Sequence, residues 1–260
     1  MFRVLPPFGA DQRGVAEVVN GIMNGKTNNT GSVTLATGWA TSTTITDARI
    51  GIDSVIIVIP YSDAAESDAA PYGYFTNNTD QTAPSVGSTA VVIYDTTEEA
   101  SGVYLSNSSR LYVRNYGIYK VQYSLQLVNR DESAQYADIW FRLNGTDLVR
   151  SANRFDIPAR KSATDPSHIV GTVETFIEMQ AGDYVEIAGT TSDTDVGLEH
   201  YAADGAIPRP AIPAAITTVQ YIAPLSSGNV YISSQTNGSA TLSHFANDTA
   251  NKTYKYIIVG

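Results

Sequence analysis

The chain contains no cysteine. That excludes a disulfide framework, a thiolate metal site and a cysteine nucleophile. Histidine is nearly as scarce. His168, His200 and His244 lie in three different segments, with no HExxH, no G-x-S-x-G and no third group spaced to complete a triad, so no enzyme is expected. Charge is also sparse, at 16% of residues against about a quarter in an average globular protein. What charge there is leans acidic, with 16 Lys and Arg against 26 Asp and Glu, a net charge of −10. Without Lys/Arg clusters a partner gripped through phosphates is not expected, which excludes nucleic acid. Long apolar runs are missing too. Val55 to Pro60 is only strand-sized, so membrane insertion is not expected. The opening MFRVLPPFGADQ has no apolar core of signal-peptide length, so the expected route is synthesis and folding in a cytoplasm.

Thr, Ser, Asn, Gly and Tyr are plentiful, and they point to β-structure with polar surfaces. The stretch from Arg110 to Val149 shows it best. Leu111, Val113, Ile118, Val121, Tyr123, Leu125 and Leu127 supply alternating β-formers, broken by turn residues at Asn115 to Gly117, Asn129 to Ser133 and Asn144-Gly145. Asn-Gly suits a type I′ turn, whose two central residues need positive φ, so Ile139 to Leu143 is expected to fold back on itself. The long first run reads as a strand with one face packed on a second sheet.

In chain order, residues 1 to 10 carry two prolines and a glycine and read as an extended arm. Val15, Val18, Val19, Ile22 and Met23 then fall at i, i+3, i+4, i+7 and i+8, one face of a helix, with Asp11 placed to cap its start and Gly25 its end. So short a helix is marginal alone. Its stripe is expected to dock, on the chain's own sandwich, between subunits or onto a larger assembly. Ser32 to Ala36, Thr43 to Thr46 and Ser54 to Pro60 read as strands. Tyr61 to Thr82, rich in Ala, Asp, Asn and Pro, reads as loop or linker. Ile216 to Ala223 closes the central region as a strand after a proline-rich edge, and Val230 to Ser234, Ser239 to His244 and Tyr254 to Val259 read as three more strands.

Two resemblances organise this pattern. Tyr116-Gly117-Ile118-Tyr119-Lys120-Val121-Gln122-Tyr123-Ser124-Leu125, followed by Trp140-Phe141-Arg142-Leu143-Asn144-Gly145, resembles the G-x-Y…NG signature of jelly-roll modules: the complement-type and tumour-necrosis-factor-type heads, also carried by tailed-bacteriophage fibres. The match spans roughly Ser85 to Ala223. Before it, Gly25 to Gly31, Ser42 to Gly51 and Ser54-Val55-Ile56 are similar to the opening half of a small module frequent in tailed-phage structural proteins. After it, Tyr231 to Ser234, Gly238 to His244 and Lys252 to Tyr256 are similar to its closing half. The expected fold class is therefore all-β: a small β-sandwich with an inserted jelly-roll β-sandwich and a short N-terminal helix. The expected division is residues 1–25 as arm and helix, 26–80 with 226–260 as a discontinuous attachment domain, and 81–225 as the insert.

The resemblance implies a virion protein, a homotrimeric tail fibre or appendage that attaches by its N-terminal arm and split sandwich, contacts other virion proteins and presents the jelly roll to a host saccharide or protein. A capsid decoration, head fibre or collar protein is the alternative, and a polysaccharide depolymerase a more distant one, since neither a parallel β-helix repeat nor a telling carboxylate pair is visible. Val15, Val18, Val19, Ile22 and Met23 are the candidate docking residues. Tyrosine outnumbers phenylalanine 16 to 7, and Tyr joins an apolar ring to a polar tip, which suits interfaces. Tyr72 and Tyr74, which with Phe75 sit in a linker where no core needs them, and Tyr201, beside His200 and Asp204, are the candidate receptor-facing residues. Asp131-Glu132 and Asp193-Thr194-Asp195 are acidic turns without the spacing of a complete calcium loop, so they read as solvated turns. Neither metal nor cofactor is expected. The N-x-S/T sequences, such as Asn77-Asn78-Thr79, read as turn and strand chemistry, and His244 as a satisfied structural histidine.

Overall fold

The computed structural model describes residues 11–23, 29–62, 70–83, 85–206, 208–223, 230–247 and 251–260. The arm at residues 1–10 and the stop at Gly25 lie outside the described residues. Among the described residues the fold is all-β apart from one short helix, and the chain divides into two compact units, Met1–Asp68 with Asn229–Gly260, and Ala69–Gly228. Helix α1 (Gln12–Met23) is followed by β1 (Thr30–Thr34), β2 (Ala40–Thr46) and β3 (Val55–Pro60). The insert holds β4 (Tyr72–Asn77), β5 (Gln81–Thr82), β6 (Ala90–Val91), β7 (Thr96–Ser101), β8 (Val103–Ser106), β9 (Arg110–Val113) and β10 (Gly117–Asn129). It continues through β11 (Gln135–Leu143), β12 (Thr146–Asp147), β13 (Asn153–Ile157), β14 (Ser167–Met179), β15 (Tyr184–Thr191), β16 (Val196–Leu198) and β17 (Ala215–Ala223). Strands β18 (Val230–Thr236), β19 (Ser239–Asn247) and β20 (Thr253–Val259) complete the first unit.

In the first unit neither half of the chain makes a sheet alone. β20 lies between β1 and β3, and β19 between β18 and β2. Each sheet thus pairs N-terminal with C-terminal strands, and the two close on Leu35, Ile45, Leu242, Tyr254, Tyr256 and Ile258. Gly31 is required here: a Cβ would lie 2.2 Å from the Tyr256 ring, which crosses over β1 so that its hydroxyl donates to Asp47 Oδ2 at 2.9 Å. The Arg49 guanidinium also holds that carboxylate, chiefly for which reason Asp47 titrates well below the usual carboxylate range. His244 is buried with every ring nitrogen used. Nδ1 donates to the Phe245 carbonyl at 2.7 Å, leaving Nε2 to accept from the Thr43 hydroxyl at 2.8 Å, which itself accepts from the Ala36 amide. This is a satisfied structural histidine.

The insert is a jelly roll of two facing sheets. One runs β7-β4-β17-β10-β14, with β16 and β5 continuing the line past the end of β17; the other runs β8-β9-β15-β11, with β12 and β13 on the free side of β11. The chain crosses repeatedly between the sheets, while β4-β5, β8-β9, β11-β12-β13 and β16-β17 each stay within one, as in Greek-key architectures. β10 is central. It pairs with β14 over its whole length and with β17 and β16 on the other side. Its alternation is strict, with Tyr119, Val121, Tyr123, Leu125 and Leu127 buried and Ile118, Lys120, Gln122, Ser124 and Gln126 facing out. Tyr123 packs on Phe141 of the opposite sheet at 5.3 Å, and Tyr119 meets Tyr221 edge-on at 5.3 Å. The Asn144-Gly145 turn forms as its chemistry requires, with φ of 50° and 79°, and returns β11 onto β12.

One expectation is corrected. Within Tyr61 to Thr82, taken for a linker, β4 is a full sheet member between β17 and β7, and the insert begins at Ala69 rather than residue 81. The reason is local. Tyr-Gly-Tyr-Phe does alternate, but the inward place before Phe75 is held by glycine, because a Cβ at Gly73 would lie 2.5 Å from the Phe75 ring. Phe75 is fully buried, so a core does need this segment. Since β4 and β17 are paired neighbours, with the Tyr221 amide donating to the Pro71 carbonyl at 2.8 Å, the insert enters and leaves side by side. That is the geometry a loop between strands can accept.

Candidate functional site

The outer face of the larger jelly-roll sheet is built by register. Lys120 stands between Phe176 and Gln220, Gln122 between Glu174 and Thr218, and Ser124 between Thr172 and Ile216. β4 extends the rows, placing Tyr72 beside Gln220 and Tyr74 beside Thr218. Phe176, Val170, Ile222, Tyr72 and Tyr74 are exposed, interleaved with Gln, Ser and Thr. Charge is present as well: Lys120, on the central strand, pairs with Glu174 at 2.6 Å, and Tyr116 donates to Glu178 at 3.0 Å. The exposed aromatic residues are of the kind enriched in interface cores. Tyr72 and Tyr74 therefore sit on a strand of this face, not on a linker.

Tyr201 belongs to a different group. Its hydroxyl lies 2.6 Å from Glu199 Oε2 and 2.6 Å from His168 Nε2, while His168 Nε2 lies 2.5 Å from the same carboxylate oxygen. Arg130 holds the other oxygen at 2.7 Å. Burial works to raise the Glu199 carboxyl, but the hydrogen bonds from Tyr201 and His168 and the charge of Arg130 outweigh it and hold it below the usual range. Burial, then Glu199, push the Tyr201 phenol up. Tyr201 and Ile212 bridge the loop's stem, as do Asp204 and Arg209. The partners of the Tyr201 hydroxyl are thus Glu199 and His168, not its sequence neighbours His200 and Asp204. Glu199 was findable, since residues two apart in extended chain share a face; His168 and Arg130, far away in sequence, left no local signal.

The two acidic turns also converge. Asp131, Asp193 and Asp195 bring carboxylate oxygens within 4.8 Å of one another, an arrangement invisible to spacing along the chain. Asp131 accepts from the Ser133 amide at 2.7 Å and Asp193 from the Asp195 amide at 2.8 Å, and the Ser133 amide is the main reason the Asp131 carboxyl titrates low. Hard cations such as Ca²⁺ take six to eight oxygens; the group supplies three carboxylates, two of them, Asp131 and Asp193, already accepting from their own turns. Between the sheets, Leu125, Leu127, Ile139, Thr191, Val196 and Leu198 line a cavity of about 90 Å³, well short of the ~300 Å³ at which small-molecule pockets begin.

Of the predicted docking stripe, Val15 and Val19 are exposed on α1 and Val18 is half-buried; the side chains of Ile22 and Met23 lie outside the described residues. Asp11 caps the helix, its carboxylate accepting from the Gly14 amide. No helix among the described residues is long and apolar enough to cross a membrane. No family model matches the chain, and no curated protein matches it.

Proposed function

We propose that the chain is a non-enzymatic structural protein of a tailed-phage particle: a homotrimeric fibre or appendage that attaches by its N-terminal helix and split sandwich and carries the jelly roll outward to meet a host saccharide or protein. The observation that carries this reading is the outer face of the β14-β10-β17-β4 sheet. Phe176, Ile222, Tyr72 and Tyr74 stand exposed on it among Gln and Thr, with Lys120 and Glu174 paired between them, and exposed aromatic and aliphatic side chains in one sheet face suit self-association. The sequence resemblance supplies the three-fold symmetry and the particle. Three copies would present three sets of loops, including the Tyr201 loop, and repeated weak contacts add effective concentration without new chemistry. Glu199, His168 and Tyr201 fit this role as a brace, because they satisfy one another and fix the loop's stem.

The particle role is tested by immunoelectron microscopy with antibodies raised against the purified protein. Labelling at one fixed position on particles of the encoding virus is expected, and its place on tail, collar or head separates a fibre from a capsid decoration. Intact particles that carry no label would overturn the reading.

A further inference from the structure

β14 is an edge strand of the larger jelly-roll sheet. It pairs with β10 over all of Ser167–Met179 without a register shift, and among the described residues it pairs with no other strand. In β10 the Gln126 amide donates to the Ala214 carbonyl and the Gln126 carbonyl accepts from the Glu199 amide, both at 2.9 Å. Even-numbered residues of β10 thus bond toward β17 and β16, and odd-numbered ones toward β14. The register sets odd residues of β14 opposite odd residues of β10. His168, Val170, Thr172, Glu174, Phe176 and Glu178 therefore aim their backbone N–H and C=O groups at the open edge. Sheet edges are commonly blunted by shortness, proline, lysine or a bulge. β7, at the other edge of the same sheet, has 6 residues and pairs with β4 through a register shift. β14 has 13 residues, with neither proline nor lysine among them.

This edge is complementary to itself. When two copies of β14 run antiparallel about Val173, the middle residue, Thr172 faces Glu174, Val170 faces Phe176 and His168 faces Glu178, each pair occurring twice. All six are even-numbered, so each pair exchanges two backbone hydrogen bonds. Val170 and Phe176, 57% and 62% exposed, gain an apolar cross-strand partner, and no carboxylate stands directly opposite another. The two Glu174 side chains meet only on a diagonal, each paired with Lys120 of its own chain at 2.6 Å. Sliding the register by two residues one way sets Glu174 against Glu174. Sliding it the other way sets Glu174 against Val170 and Phe176 against His168. We propose that β14 pairs antiparallel with β14 of a second copy in the register centred on Val173, joining the two larger sheets into one. The contact is isologous and two-fold. It is made by the strand edge, so it widens the aromatic face without covering it, and it stands independently of the trimer reading. One strand on one strand is small beside a standard interface of about 1,600 Å², so it joins copies already held close, as on a particle surface, rather than dilute ones.

The absence of cysteine makes the test direct. Val170→Cys and Phe176→Cys chains, both substituted at exposed positions, are mixed in concentrated solution and oxidised with copper phenanthroline. Across the proposed pair these positions fall within disulfide reach, whereas two Val170→Cys positions lie about 20 Å apart at the strand rise. The mixed pair is expected to form a disulfide dimer about tenfold faster than either variant alone, a contrast set by effective concentration. Val173→Cys, which meets itself on the two-fold axis, should link without mixing. Adding Thr172→Pro removes an N–H from the open edge and none from the β10 ladder, so it should abolish both links while circular dichroism shows the fold kept. The mixed pair decides: if it links no faster than its two parents, or if Thr172→Pro leaves the link intact, the proposal is overturned. A trimer that persists in that case leaves the three-fold association standing; a β14 link in a chain that is monomeric at micromolar concentration supports the edge contact and removes the trimer.

Discussion

β10 and β3 are both runs of strong β-formers, yet they solve different problems. In β10 every second residue is buried while Lys120, Gln122, Ser124 and Gln126 face out, a strand with one packed face and one polar face. β3 reads Val-Ile-Ile-Val-Ile, apolar on both sides. The jelly roll is therefore complete as a folded unit, with a polar-aromatic outer sheet face. The split sandwich folds around its own core but leaves aliphatic surface that water solvates poorly. The difference teaches that two strands equally rich in β-formers can bury the same inward face and yet expose outer faces of opposite polarity.

The largest expected effects break the comparison at the two cores. Phe141→Ala should cost the jelly roll about 3–5 kcal/mol, and Leu242→Ala should cost the split sandwich about 2–5 kcal/mol, each read as a shift in its own transition by calorimetry. The coupling should be one-way. When the insert unfolds, the split sandwich must close a long flexible loop, which costs entropy. Phe141→Ala is therefore expected to lower both transitions and Leu242→Ala only one; equal coupling in both directions would refute the nested arrangement.

A smaller contrast lies within β10. The Tyr119 hydroxyl donates to the Asn115 carbonyl at 2.7 Å, whereas the buried Tyr123 hydroxyl reaches no partner among the described residues. Tyr119→Phe should cost about 1 kcal/mol, while Tyr123→Phe should be neutral or stabilising; urea denaturation of the two variants checks this. The acid response comes next. In the jelly roll Asp95, Asp131, Asp147 and Glu199 titrate below their usual range, and in the split sandwich Asp47 does. A carboxyl depressed in the folded state adds stability above its unfolded pKa and loses it as pH falls through the folded pKa. Both units should lose stability as pH falls below about 5, the split sandwich down to the most acid values because Asp47 is the most strongly depressed of the five, and a melting series from neutral to strongly acid pH would show it.

The fold was legible where pattern and turn chemistry agreed. Strict alternation identified β10, Asn144-Gly145 identified the return of β11, and Asp11 before a valine stripe identified α1. β4 was missed because Gly73 occupies an inward position that alternation expects a large residue to fill, and because Ala, Asp and Pro crowd the residues before it. The face holding Tyr72 and Tyr74 is a property of register, as the Glu199 group and the three converging aspartates are properties of topology. Of these only the Glu199–Tyr201 pair, two residues apart, leaves a mark on the local sequence. β3 was legible as a strand, but only the structure shows its second face open.

The smallest effect on folding attaches to the most consequential surface. Tyr74→Glu and Phe176→Glu alter exposed side chains, so each should change stability by no more than about 0.5 kcal/mol. Their effect should appear in association instead. Multi-angle light scattering of the purified chain at micromolar concentration tests the central claim most directly: the account predicts three times the 27.9 kDa chain mass for the parent and a lower mass for both variants. A monomeric parent, or variants that keep the parent's mass, would contradict it.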